Sequence, residues 1–246
     1  MITALSAADG SPNVFQQVID AGIPIGEYKL HWLELVGVLI GVASAWYGMK
    51  RKVWAWPVGI TANVLLFFVY IAATLGADSR VPLFGQAGRQ VFFIITSVYG
   101  WYRWAEHRRA SGDPSAPAVV PHWMTDRERV VVVLAWLLGT VVVQAVFAQI
   151  SSFPAAWWYY WCDAWIFVGS IAATYAMARG WNEFWLAWIG VDLVGVPLGF
   201  ATGYVPTSVL YIFYGGFVVY GFVQWVKISR AERPGGLADP AVEAVA

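Results

Sequence analysis

The sequence predicts an all-α polytopic membrane protein: seven transmembrane helices, arranged as two similar three-helix units around a connecting fourth helix. Three observations carry this. The 246 residues are 59% hydrophobic and 12% charged, about half the charged share of an ordinary globular chain. The apolar residues gather into seven stretches, each near the roughly 17–25 residues that cross a bilayer core of about 30 Å. Features of the first three stretches also recur in the last three. Sixteen tryptophans raise the further question of what so much indole is for.

The spans fall at about 32–49, 53–75, 82–102, 130–150, 157–178, 182–202 and 206–226. Residues 1–31 are polar, broken by Gly and Pro, and lack a basic stretch ahead of an apolar run. They read as an extracellular segment and not as a cleaved leader. Residues 32–104 then form a first repeat, 105–129 a cytoplasmic loop, 130–150 the connector helix, 151–226 a second repeat and 227–246 a cytoplasmic tail. The third span is the most interrupted, by Gln86, Arg89 and Gln90.

Charge supports the count. Lys50, Arg51 and Lys52 follow the first span, five arginines flank the third-to-fourth loop, Arg179 follows the fifth span, and Lys227, Arg230 and Arg233 follow the seventh. The opposite side holds Lys29 and Arg80. Twelve cations against two predict the N-terminus outside and the C-terminus in the cytoplasm, in the plasma (inner) membrane.

The repeat is visible at two offsets. Trp56, Gly59 and Asn63 are spaced like Trp185, Trp188 and Asp192, and the same 129-residue shift brings Glu34 onto Asp163. Tyr99-Gly100 with Trp104, and Tyr220-Gly221 with Trp225, both read YGxxxW; they align at 121 because a shorter loop surrounds Gly203. Both triplets start outside, so the halves are parallel copies about an axis along the membrane normal. Such architectures place a substrate site between the halves.

Several classes of function are excluded. A formal net charge of zero offers no basic surface for nucleic acid. Cys162 is the single cysteine, so no disulfide framework or multi-cysteine metal site exists. No GxxxxGK[ST] loop occurs. His31, His107 and His122 lie outside or at the edges of the spans, leaving no buried imidazole for haem or zinc. Lys29, Lys50, Lys52 and Lys227 lie at membrane edges, so no lysine can form a retinal Schiff base. Ser-His-Asp and HExxH constellations are absent. The chain is expected to be neither an enzyme nor a cofactor or metal protein.

Polar groups in hydrocarbon cost at least a few kcal/mol unless they face protein or water. Glu34 and Glu183 lie near span ends, Gln144 in the connector, and Asp163 far enough inside to line a vestibule or pair with Arg89. Asn63 and Asp192 are mid-span and equivalent in the repeat. Trp185, Trp188 and Asp192 stand at i, i+3 and i+7, on one face of a helix. Two indoles and a carboxylate on one stripe can clamp a flat ring and bond its polar edge. Packing alone accounts for most aromatic stripes; the paired Asn63 turns the reading toward a ligand. Pro57 and Pro197 are expected to break their helices and free carbonyls. Trp32, Trp54, Trp104, Trp157 and Trp225 sit where interfacial belts form.

The run Trp56-Pro57-Val58-Gly59-Ile60 through Asn63, Gln90 with Tyr99-Gly100-Trp101-Tyr102-Arg103-Trp104, and the WxxWxxxD of Trp185, Trp188 and Asp192 resemble the Pnu family of vitamin-precursor transporters. The resemblance covers about 32–228. It implies a pseudo-symmetric fold related to the SWEET proteins, facilitated diffusion, trapping by a cytoplasmic kinase and a homotrimer. Cys162 to Gly169, Glu183-Phe184-Trp185 and Val191 to Leu198 are similar to the actinobacterial riboflavin-transporting branch. Riboflavin is therefore favoured over nicotinamide riboside, with thiamine third. A flat isoalloxazine suits several indoles, although the same indoles would hold a pyridinium. On this reading Trp185 and Trp188 sandwich the ring, Asp192, Asn63 and Gln90 bond its edge or ribityl chain, and Trp56, Tyr211 and Tyr214 complete the pocket. Proton coupling through Asp163 or Asp192 stays open. A seven-helix receptor that binds without transport is the non-transport alternative.

Overall fold

The computed structural model describes residues 21–25, 28–74, 84–113, 116–150, 157–201 and 205–232. Most of the expected N-terminal segment, the C-terminal tail and Arg80 lie outside them. Seven helices follow one another: α1 (Trp32–Met49), α2 (Ala55–Thr74), α3 (Phe84–Ala110), α4 (Asp126–Ile150), α5 (Trp157–Arg179), α6 (Glu183–Ala201) and α7 (Val205–Ala231). At 1.5 Å per residue, the shortest of them is about 27 Å long. Helices α1, α4 and α6 are apolar enough to be read as spans on composition alone. The others carry polar residues that the fold turns inward, such as Gln90 and Ser170. Helix α4 exposes Val130, Val131, Leu134, Leu138 and Val142, an apolar surface suited to lipid.

One element departs from an all-helical chain. Gly22–Ile25 (β1) pairs antiparallel with Tyr28–His31 (β2), Ile25 facing Tyr28. Two residues separate the strands, the shortest common hairpin link, and the pair leads directly into α1.

Packing follows the repeat. Helix α2 packs against α1 and α3, and α6 against α5 and α7; α3 meets α5 between the triplets, and α4 rests on α5. Trp136 fixes α4: its ring fills the space over Gly169 and Gly190, and its Nε1 donates to the Trp165 carbonyl at 3.1 Å. Trp165 Nε1 in turn donates to the Gly190 carbonyl at 2.9 Å.

The two halves stop their first helices in the same way. Trp181 N–H bonds the Ala176 carbonyl and Gly180 N–H the Met177 carbonyl, with Gly180 at φ 78°. This is the Schellman ending, which requires a left-handed residue. In the first half Lys52 N–H bonds the Tyr47 carbonyl and Arg51 N–H the Gly48 carbonyl, with Arg51 at φ 54°. Arg51 and Gly180 are equivalent at the 129-residue offset.

Two sequence expectations are corrected. Pro57 lies in the first turn of α2, where its missing N–H has no helical partner to lose, so it breaks nothing. Pro197 lies inside α6, which continues to Ala201. Trp104 and Trp225 are not belt residues: they are 1% and 0% exposed. Helices α3 and α7 run on to Ala110 and Ala231, so these indoles fall inside the bundle. Trp54 and Trp157, at 63% and 76% exposed, do stand at the surface.

Candidate substrate cavity between the halves

A cavity of about 460 Å³ lies between the triplets, within the range of small-molecule sites. Helices α1, α2, α3, α5, α6 and α7 all line it, and among the described residues α4 contributes none. The structure brings together all eight residues named from the sequence: Trp56 and Asn63 from α2, Gln90 from α3, Trp185, Trp188 and Asp192 from α6, and Tyr211 and Tyr214 from α7. Helical periodicity explains the convergence. Trp56, Asn63 and Tyr70 repeat every seven residues along α2, and Gln90, Phe93 and Ser97 follow a 3–4 spacing along α3.

The aromatic residues occupy different depths. Trp56 and Trp185 lie in the first turns of α2 and α6, and both are buried. Each ring covers a glycine of the neighbouring helix, Trp56 over Gly100 and Trp185 over Gly221; a Cβ at either glycine would fall inside the indole. Trp56 meets Trp104 edge-on at 5.2 Å, and Trp185 meets Trp225 at 6.2 Å. Trp185 is further enclosed by Phe184, at 4.3 Å, and Phe217. No sandwich of Trp185 and Trp188 is formed, because the Trp185 ring is spent on this packing. Trp188 is only half-buried, tilted against Phe93 at 6.2 Å. Its equivalent in the first half is Gly59, whose side-chain position is taken by Ser44, 2.7 Å from where a Cβ would stand, so this pair of positions supplies an indole from one half only.

Below the cavity the tryptophans merge into a closed apolar cluster with Met49, Val218 and, beyond them, Ala118, Val119 and Met124. Trp225 Nε1 donates to the Met49 carbonyl at 3.1 Å, joining the halves. Trp104 and Trp225, equivalents in the repeat, face each other at 6.5 Å. A Cβ on Gly48 would strike Met177, and these too are equivalents, 129 apart. Positions equivalent in the sequence repeat therefore meet at this basic end of the molecule.

The loop before α4 straps that end. Ala118 N–H bonds the Arg51 carbonyl, His122 N–H the Gly180 carbonyl and Asn182 N–H the His122 carbonyl. Glu183, expected only near a span end, accepts the Met124 N–H at 3.1 Å and pairs with Arg129 Nε at 2.9 Å. Arg51 also pairs with Glu232 at 2.8 Å.

Tyr70, Arg89, Phe93 and Phe217 are among the lining residues that were not singled out as site residues. Arg89 carried a signal, an arginine within a span, and it is coupled electrostatically to Asp163, as the sequence had allowed. Among the described residues, no group of His, Cys, Asp and Glu is placed to hold a metal ion.

Comparison with known proteins agrees with this geometry. A family model described as nicotinamide mononucleotide transporter matches residues 31–227. The riboflavin/roseoflavin transporter RibM of Streptomyces davaonensis is 36% identical over 204 residues, covering 82% of this chain and 89% of RibM. The nicotinamide riboside transporter PnuC of Escherichia coli is 26% identical over 240 residues, covering 85% and 91%. The crystal structure of the vitamin B3 transporter PnuC superimposes with a TM-score of 0.64 at 21% identity, covering 82% and 83% of the two chains. That likeness establishes the fold. With most of its length matched and its helices packed around one central cavity, the chain belongs to the nicotinamide mononucleotide transporter (PnuC) family, whose members are vitamin transporters and not enzymes.

Proposed function

We propose that this chain takes up unphosphorylated riboflavin by facilitated diffusion through the cavity between its halves. The observation that carries the proposal is the half-buried indole of Trp188 in the cavity wall, with Asp192 one turn further along α6 and Asn63 at the equivalent position of the other half. A flat ring can stack on this indole. Asp192 accepts its imide N–H, Asn63 and Gln90 serve its edge and ribityl hydroxyls, and Tyr211 and Tyr214 close the far side. Trp56 and Trp185 form the floor. The 36% identity to a riboflavin/roseoflavin transporter supports this substrate over the pyridine nucleoside. The basic end, with Lys50, Arg51 and the strap, faces the cytoplasm of a plasma-membrane protein. No coupling ion or ATP is required if a kinase inside traps the vitamin.

Glu34 and Asp192, both lining the cavity, favour a second reading, the cationic nicotinamide riboside. Labelled riboflavin, offered to proteoliposomes without ATP or an ion gradient, separates them. We expect equilibration of the flavin that excess nicotinamide riboside leaves unchanged. Entry of the pyridine nucleoside with exclusion of flavin assigns the second reading. Movement of neither contradicts transport and leaves a receptor.

A further inference from the structure

We propose that Arg89 is the charge-selectivity residue of this cavity, disfavouring permanently cationic ring nucleosides and admitting neutral ones. The inference rests on the reading that the cavity is the substrate path. Arg89 belongs to α3, is 9% exposed and lines the cavity. A guanidinium stays ionised at any working pH, so the charge is permanent.

The groups that face it come from four helices. Tyr211 of α7, Tyr70 of α2 and Asp163 of α5 lie near enough to act on it electrostatically. Its guanidinium also lies over the Phe93 ring at 5.7 Å. Asp163, the one carboxylate among these, is not part of the lining. The cation therefore stands in the wall with its counter-ion behind it. Its Nε–H has no acceptor among the described residues, so the fork is only partly used by the protein. Glu34 and Asp192 also line the cavity and attract cations. They are unchanged in any Arg89 variant, which isolates the arginine's contribution. A like charge within a cavity of this size, at the effective dielectric of a protein site, changes affinity by on the order of tenfold.

The test compares two ligands of nearly one shape and different charge: oxidised nicotinamide riboside, a cation, and its reduced dihydro form, which is neutral. Binding to the purified full-length protein is read by ligand-induced thermal stabilisation, with riboflavin in parallel. The expected result is that Arg89→Gln shifts the neutral-to-cation affinity ratio toward the cation by about tenfold, while Arg89→Lys holds the ratio. Because Arg89→Gln strands Asp163 as a buried unpaired charge, the double variant Arg89→Gln/Asp163→Asn is measured too, and is expected to shift the ratio the same way. An unchanged ratio in both neutralised variants overturns the proposal. So does failure of every variant to bind the cation, since removing the charge should admit it. Loss of riboflavin binding by the wild type, with the nucleoside ratio still shifting, overturns the flavin reading and leaves the assignment of Arg89 standing.

Discussion

Gly221 and Gly216 lie five residues apart on α7, yet their environments are opposite. A Cβ on Gly221 enters the Trp185 ring, whereas one on Gly216 meets nothing within 4 Å. Close approach of an indole to a helix backbone is possible only where no side chain intervenes. Gly221→Ala should therefore destabilise by about 1–3 kcal/mol through overpacking. Gly216→Ala should be neutral or stabilise by up to about 1 kcal/mol, from helix propensity. Thermal unfolding of the detergent-solubilised variants reads both. Equal shifts would mean that the indole does not rest on Gly221. Arg51 shows the same logic from the other side. It occupies a left-handed position that its counterpart fills with glycine, and its side chain bonds Glu232 and Val119, contacts that a glycine cannot make.

The strap is the element that ties the basic ends of the two halves together. Thr125 and Glu128 start α4 as a capping box: Thr125 N–H donates to Glu128 Oε2 at 2.8 Å, and Glu128 N–H donates to Thr125 Oγ1 at 3.3 Å. Just before it, the Glu183 carboxylate holds Met124 and Arg129. Charge-assisted hydrogen bonds of this kind contribute about 1.5–3 kcal/mol. Glu183→Gln keeps the size but loses the charge, so local opening of residues 116–125 should become easier. Amide hydrogen exchange of His122 and Asn182, whose N–H groups are bonded across the strap, should speed up roughly tenfold or more, with α4 beyond its first turns unaffected. Unchanged exchange would show that the carboxylate does not hold the strap.

At the scale of the whole molecule, hydropathy and the positive-charge pattern made the seven helices readable, because lipid imposes both length and composition. The repeat made the cavity readable: residues equivalent in two parallel halves must converge on one axis, which is why Asn63 and Asp192 could be paired in advance. Trp104 and Trp225 could not be read this way. A span ends in the sequence where hydropathy falls, whereas α3 and α7 continue for six residues past these indoles. The strap was equally hidden, since its bonds to Gly180 and Asn182 join residues far apart in sequence. The division of labour between Trp185 and Trp188 depends on which indole finds a glycine opposite, a tertiary fact that spacing on α6 does not contain.

On the proposed function, a flat vitamin binds between the halves by stacking on Trp188. Quenching of riboflavin fluorescence by the purified protein measures it directly. The expected result is saturable quenching by the wild type and, in Trp188→Ala, an affinity weakened by about 1–3 kcal/mol, as for other rings stacked on aromatic side chains. Saturable quenching of equal depth and affinity in Trp188→Ala, in a variant that unfolds at the wild-type temperature, would contradict it.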